Sequence, residues 1–246
     1  MAPLLETTDL EKTFGALVAN DGISLTVDAG EVRGIIGPNG SGKSTFFNTV
    51  TGFYTADGGT VTFDGEDITG CSSHEIARKG LARTFQIVSP FENLTVRQNL
   101  LAVHSKGVRV SEDKRERADE ILEFLDIAHL ADDEASEMSG GQQKLLELAR
   151  LLMLDPKCIM LDEPTAGVNP ALQDRILDRL IAMNDRGTTF VIVEHDMDLI
   201  RAFADTVTVF DQGRIIAEGT FDEVTAESRV RDAYLGVESD LKEVLG

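Results

Sequence analysis

Residues 32–50 read VRGIIGPNGSGKSTFFNTV. An apolar strand-like run, RGIIG, leads into a glycine-rich loop, and a helix-like run, STFFNTV, follows it. Residues 37–45, GPNGSGKST, fit the spacing G-x-x-x-x-G-K-[ST] in the strand–loop–helix setting that this spacing requires. Glycine lets the backbone curl so that successive N–H groups point at one anion. Gly37, Pro38, Asn39, Gly40, Ser41, Gly42, Lys43, Ser44 and Thr45 thus form a phosphate cradle. Lys43 brings positive charge to the β- and γ-phosphates, and the Ser44 hydroxyl is expected to ligate Mg²⁺.

Two later stretches repeat the geometry of an apolar strand ending in polar residues. CIMLDEP, residues 158–164, places two carboxylates at a strand terminus, and ligand crevices of parallel sheets lie at the carboxyl ends of strands. Asp162 therefore arrives where a cation is expected. Glu163 points elsewhere and is positioned to polarise an attacking water. TFVIVEHDM, residues 189–197, sets His195 just past another such strand. A neutral imidazole there could contact a γ-phosphate or the attacking water, but by itself His195 reads more readily as a neighbour of a helix cap at Asp196.

Outward from these sites, short strands open the chain: LLETTDLEKTF, ISLTV and, after the phosphate loop, GTVTFDG. Helical periodicity dominates from about Thr95 to Met153, including DKRERADEILEFLDI with apolar Ala118, Ile121, Leu122 and Leu125. Apolar strands and helices then alternate, the pattern of a parallel sheet covered on both faces. Near the end, Thr220 and Glu223 have capping-box spacing. The expected fold is an α/β nucleotide-binding domain spanning residues 1–246, with an antiparallel β subdomain. A helical subdomain is expected at about 87–155 and a C-terminal helical extension at about 220–246.

MSGGQQKLLELAR, residues 138–150, poses a separate problem. Leu145, Leu146, Leu148 and Ala149 make an apolar helical stripe, yet the segment opens on Ser139-Gly140-Gly141. Glycine disfavours a helix interior by about 1 kcal/mol relative to alanine. At a helix start it leaves bare N–H groups facing outward, which is a second anion site.

Composition narrows the function classes. Apolar residues are 42% of 246, and 43 Asp+Glu against 23 Lys+Arg give a net charge of −20. An acidic surface repels nucleic acid and anionic lipid, so neither is an expected partner. Two readings of the charge stand open: a high-salt cytoplasm, where repulsion is screened over about 3 Å at 1 M salt, or simply an acidic soluble protein. Stability that rises steeply with KCl would favour the first. Cys71 and Cys158 lack metal-ligand spacing, and Cys158, leading an apolar strand, reads as a buried thiol. No apolar run reaches the roughly 20 residues of a membrane span. No signal peptide is read at the start, so a cytoplasmic location is expected.

These pieces in this order resemble the ATP-binding cassette (ABC) family of transport ATPases over essentially the whole chain. The resemblance implies a P-loop NTPase core and ATP hydrolysis with Mg²⁺ as cofactor. It implies Ser44, Gln86 and Asp162 around the metal, Glu163 and His195 as catalytic groups, and Phe14 stacking on adenine. It also answers the second helix start. In this family two cassettes pair head to tail, so Ser139, Gly140, Gly141 and Gln142 would face a nucleotide held by the partner. Gly167 and Asn169 would sit in the loop at that interface. Three departures stand out: Phe14 where Tyr is commoner, Met138 where Leu is common, and Asn169 where many members carry Asp.

GLARTFQIVSPFENLTVRQNLL, TGFYTADGGTV, LDEPTAGVNP, EHDMDLI and RDAYLG narrow the likeness to ATPase subunits of branched-chain amino-acid importers. Urea and amide importers share these strings, and nothing local excludes an exporter. Implied partners are a second ATPase, as homodimer or paralogous pair, transmembrane permease subunits and, indirectly, an extracellular solute-binding protein. The implied location is the cytoplasmic membrane face. Phe91, Leu94 and Val96 are read two ways: as lining a groove for a permease helix, or as packing their own lobe.

Overall fold

A computed structural model describes residues 2–84, 90–103 and 111–235. Two sheets carry its strands. The first is antiparallel, in the order β2-β1-β4-β5, from β1 (Leu5–Phe14), β2 (Leu17–Val27), β4 (Gly58–Phe63) and β5 (Glu66–Asp67). The second runs β10-β9-β3-β8-β7-β6, from β3 (Val32–Ile36), β6 (Leu81–Arg83), β7 (Cys158–Asp162), β8 (Thr189–Val193), β9 (Thr206–Asp211) and β10 (Arg214–Gly219). All its pairings are parallel except β9 with β10.

The central strands are apolar throughout because both of their faces are covered. Along β7, Ile159 and Leu161 enter one core while Cys158 and Met160 enter the other. Phe190 and Ile192 of β8 alternate with Val191 and Val193 in the same way. This is the period of two that a strand imposes. Register then sets the functional edge. Ile35 and Asp162 both lie opposite Val193, so β3, β7 and β8 end side by side. The phosphate loop, Asp162-Glu163 and Glu194-His195 all leave the sheet from that edge.

Helix α1 (Lys43–Val50) follows the phosphate loop and drives Phe46 and Phe47 into the core between the sheets, where Phe46 meets Phe210 at 5.4 Å between ring centroids. A buried phenylalanine contributes about 1.5–3 kcal/mol. Short α2 (Ser73–Lys79), closed by a Ser72–Glu75 capping box, and three-residue β6 were not anticipated. Helix α2 buries only Ile76, so it leaves almost no hydropathy signal.

Helices α3 (Val96–Leu101), α4 (Glu112–Phe124) and α5 (Gly140–Leu152) pack together around Val96, Leu100, Ala118, Ile121, Leu122 and Leu146. Val96 is 0% exposed, so it belongs to this core and not to a groove; Phe91 is 50% exposed and Leu94 partly buried. The later helices among the described residues are α6 (Pro170–Asn184), α7 (Met197–Phe203), α8 (Phe221–Ala226) and α9 (Ser228–Leu235). The expected Thr220–Glu223 capping box opens α8, and Cys158 is fully buried. Among the described residues, no helix is long and apolar enough to cross a membrane.

Candidate active site

The phosphate loop is tied to the sheet by contacts that admit no side chain at Gly42. Its φ is +105°, and a Cβ there would meet Ala19 O at 2.4 Å and Asn20 Nδ2 at 2.9 Å. The Asn20 amide donates to Gly42 O at 3.1 Å and fixes that approach. Gly42 begins α1 with no side-chain oxygen capping it, so the first-turn N–H groups stay available to an anion. Lys43 Nζ lies across the loop, donating to Gly37 O at 2.7 Å and Pro38 O at 3.0 Å. Burial pushes the Lys43 pKa down, against the opposing fields of Glu163 and Asp162.

Phe14 stands at the rim, half exposed, edge-on to Tyr54 with centroids 5.3 Å apart. Its strand end is held by Asp57, which accepts from Thr13 N at 2.7 Å, Thr13 Oγ1 at 2.8 Å and Lys12 Nζ at 3.0 Å. Those bonds, the Thr13 backbone N–H first, hold the Asp57 carboxyl at about 2. Phe14, Asn39, Gly40, Ser41, Gly42, Lys43, Ser44, Thr45, Glu163 and His195 line one open cleft of about 600 Å³.

The two adjacent carboxylates diverge because the strand ends between them. Asp162 completes β7, is buried, and takes an ion pair from Arg83 Nη2 at 3.4 Å. Burial raises its pKa, and Arg83 opposes the rise. Glu163 turns into the left-handed region at φ +50°, its N–H donating to Val193 O at 2.9 Å. That turn swings its side chain to His195, whose Nε2 stands 3.1 Å from Glu163 Oε1.

The donor set suits Mg²⁺. Ser44 and Asp162 offer hard oxygens beside the phosphate cradle, and Mg²⁺ is usually held by one or two carboxylates plus substrate phosphates. Among the described residues, no group of three or more His, Cys, Asp or Glu side chains could hold a metal. Gln86 lies outside the described residues.

Ser139, Gly140, Gly141 and Gln142 do not join this cleft. Ser139 and Gln142 line a separate pocket of about 250 Å³ with Asn169, Asp126, His129 and Arg175. Their helix start is not bare, as the glycines suggested. Ser139 Oγ accepts from Gln142 N, while Gln142 Oε1 accepts from Ser139 N at 2.8 Å and Ser139 Oγ at 2.9 Å. Only the N–H groups of the two glycines are left outside this box. The glycines themselves differ. A Cβ on Gly140 meets nothing within 4 Å, whereas one on Gly141 would fall 2.1 Å from Leu172 Cδ2. Gly167 is exposed at φ +73°, and Asn169 caps α6 by accepting from Leu172 N at 3.1 Å.

Three polar residues around the site were missed in the sequence. Arg83 bridges Asp162 and Asn48 Oδ1, the latter at 2.6 Å. Buried Glu194 accepts from Thr165 N at 2.8 Å and Thr165 Oγ1 at 2.6 Å. Lys144 donates to the carbonyls of Glu163 and Ala166. Glu194 alone carried a signal: it is a carboxylate one step beyond a continuously apolar strand.

Residues 20–166 match the ABC transporter family, and residues 214–240 match the branched-chain amino acid ATP-binding cassette transporter family. A probable branched-chain amino acid transport ATP-binding protein, LivG of Archaeoglobus fulgidus, is 43% identical over 247 residues, covering 96% of each chain. The ADP conformation of an ATP-binding cassette of an ABC transporter superposes with a TM-score of 0.87 at 40% identity, over 96% of this chain and 100% of that one. A dimeric post-hydrolysis cassette bound to ADP and Pi matches with a TM-score of 0.79 at 26% identity, over 88% and 98%.

Proposed function

Because this chain belongs to the ABC transporter family, we propose that it is the ATP-hydrolysing subunit of an importer for branched-chain amino acids or a related small polar solute. The observation that carries the reading is one cleft lined by the phosphate loop, Glu163, His195 and Phe14, with Glu163 and His195 in contact at 3.1 Å. The match over residues 214–240 and the name of the 43% identical relative favour the amino-acid importer over a urea, amide or exporting system.

In this reading Phe14 stacks on the adenine. The N–H groups of residues 39–45 and the Lys43 ammonium bind the phosphates. Ser44 and Asp162 hold Mg²⁺, which supplies charge neutralisation to the phosphate oxygens. Glu163 takes a proton from water as that water attacks the γ-phosphorus, and the bond to the leaving ADP oxygen breaks with its electron pair. His195 holds the Glu163 carboxylate toward that water.

Ser139, Gly140, Gly141 and Gln142 serve a nucleotide bound by a second cassette. Support comes from their separation from the phosphate-loop cleft within one chain and from the dimeric relative. Residues 87–155 then form the lobe that meets the permease at the cytoplasmic membrane face, with Phe91 exposed toward it. Helices α8 and α9 belong to the C-terminal extension expected at 220–246, of which residues 236–246 lie outside the described residues.

Glu163→Gln tests this. It should keep ATP binding, lower turnover by roughly 10²–10⁴-fold, and accumulate an ATP-bound dimer seen by light scattering. Turnover at the wild-type rate would remove Glu163 as the base. Copurification with a membrane fraction only when permease is coexpressed tests the transport assignment.

A further inference from the structure

The turn that carries Glu163 is clamped from two directions by groups that the reaction scheme does not use. From one side Lys144, in the second turn of α5, sends Nζ to Glu163 O at 3.1 Å and Ala166 O at 2.6 Å. From the other, the buried Glu194 carboxylate takes Thr165 N and Oγ1 with Oε1, and His195 N at 3.1 Å with Oε2. Between the clamps Glu163 holds φ +50°. A non-glycine residue keeps that conformation only where its surroundings over-determine it.

Lys144 belongs to the helix that begins with Ser139-Gly140-Gly141 and reaches from there to the carbonyl of Glu163 itself. Burial pushes the pKa of its ammonium down, against the opposing fields of Glu194, Glu147 and Glu163.

We propose that Lys144 is a positioning residue for Glu163, tying the helix whose N-terminus faces the partner's nucleotide to the backbone of the same chain's general base. This rests on Glu163 being that base. A shift of α5 on dimer closure would then move the Glu163 turn directly. Lys144 touches neither water nor phosphate in this scheme. It acts on the carbonyl that sets the direction of the Glu163 side chain.

The test compares Lys144→Met, which keeps the aliphatic stem and loses the donor, with Lys144→Arg, which keeps a donor, all in the full-length chain. Lys144→Met should lower kcat by about 10-fold or more with KM for ATP within about twofold, the signature of an interaction realised in the transition state. Lys144→Arg should recover most of that loss. In a Glu163→Gln background, Lys144→Met should change residual turnover by no more than about twofold, because residues acting as a unit are non-additive.

Three outcomes would overturn the proposal. The first is an unchanged kcat in Lys144→Met. The second is an equal further loss in the Glu163→Gln background. The third is a loss in both Lys144 variants that follows a fall in melting temperature and ATP affinity. Wild-type turnover by Glu163→Gln alone would instead sink the assignment of the base.

Discussion

Two helices in this molecule start on glycine, and they are built oppositely. Helix α1 begins at Gly42 in a left-handed conformation with no side-chain cap. Helix α5 begins at Ser139 in an extended conformation, with a complete capping box. The first leaves its terminal donors for a ligand and is welded to the sheet by Ala19 and Asn20. The second satisfies part of its own terminus and stands exposed at Ser139 and Gly140. Under the proposed function the α1 start holds phosphate within its own chain, where an uncapped terminus serves. The α5 start would meet its ligand only when a partner closes, and the Ser139–Gln142 box satisfies part of it while apart.

Substitution should separate the two starts. Gly42→Ala has the largest expected effect. An alanine at φ +105° costs roughly 1–2 kcal/mol from conformation alone, and the 2.4 Å approach of Ala19 O forces the loop to move. Calorimetry should detect no ATP binding; wild-type affinity would mean that the loop does not need this geometry.

Gly141→Ala comes next, through packing and not conformation. Its Cβ overlaps Leu172, an overpacking cost of about 1–3 kcal/mol in urea unfolding. Leu172→Ala added to it should restore part of that loss, since contacting sites are non-additive. Gly140→Ala, facing open space, should change stability by less than about 0.5 kcal/mol. Equal losses at 140 and 141 would erase the distinction.

Ser139→Ala removes the cap and should cost about 1 kcal/mol. Ser139→Arg should in addition abolish ATP-driven dimerisation while monomer affinity for ATP stays near wild type, measured by light scattering and by titration. A large loss of monomer affinity would bring the α5 start into the same-chain site.

The smallest effect concerns Asp57, which anchors the Phe14 strand end. Its carboxyl is depressed from 3.8 to about 2 in the folded protein. The stabilisation is therefore present above pH 3.8 and is lost as pH falls through about 2. Asp57→Asn should reduce the slope of acid unfolding in that window without removing it, because Asp67, Glu75 and Glu223 are depressed as well. A slope identical to wild type would exclude the Asp57–Thr13 bonds as its source.

Much of the site could be read from local pattern. The phosphate loop, Asp162-Glu163 and His195 each lie at the end of a buried strand of five residues, and a strand followed by turn chemistry needs no tertiary knowledge to recognise. Phe14 and the Ser139 segment took a family resemblance, because an exposed aromatic or a glycine pair has no function in isolation. Lys144 and Arg83 resisted both approaches, and Glu194 offered only its place one step beyond an apolar strand. Their partners lie 19, 79 and 29 residues away, and a lysine on a helix reads as a solvated charge until the fold shows which carbonyls it meets. Val96, read two ways in the sequence, is decided by the same kind of contact: α4 and α5 bury it in the core of its own lobe.

The sequence by itself determined the strand–loop–helix that grips phosphate, the parallel sheet around it and the second glycine helix start. These depend on backbone sterics and hydrophobic period, which act within a few residues. The tertiary structure alone decided that Ile35, Asp162 and Val193 end in register, and that Gly141 is a packing glycine while Gly140 faces open space. It also decided that the Ser139 helix is kept out of its own chain's phosphate cleft. Each of these is a distance between segments remote in sequence, fixed by how side chains from different elements fill the same space.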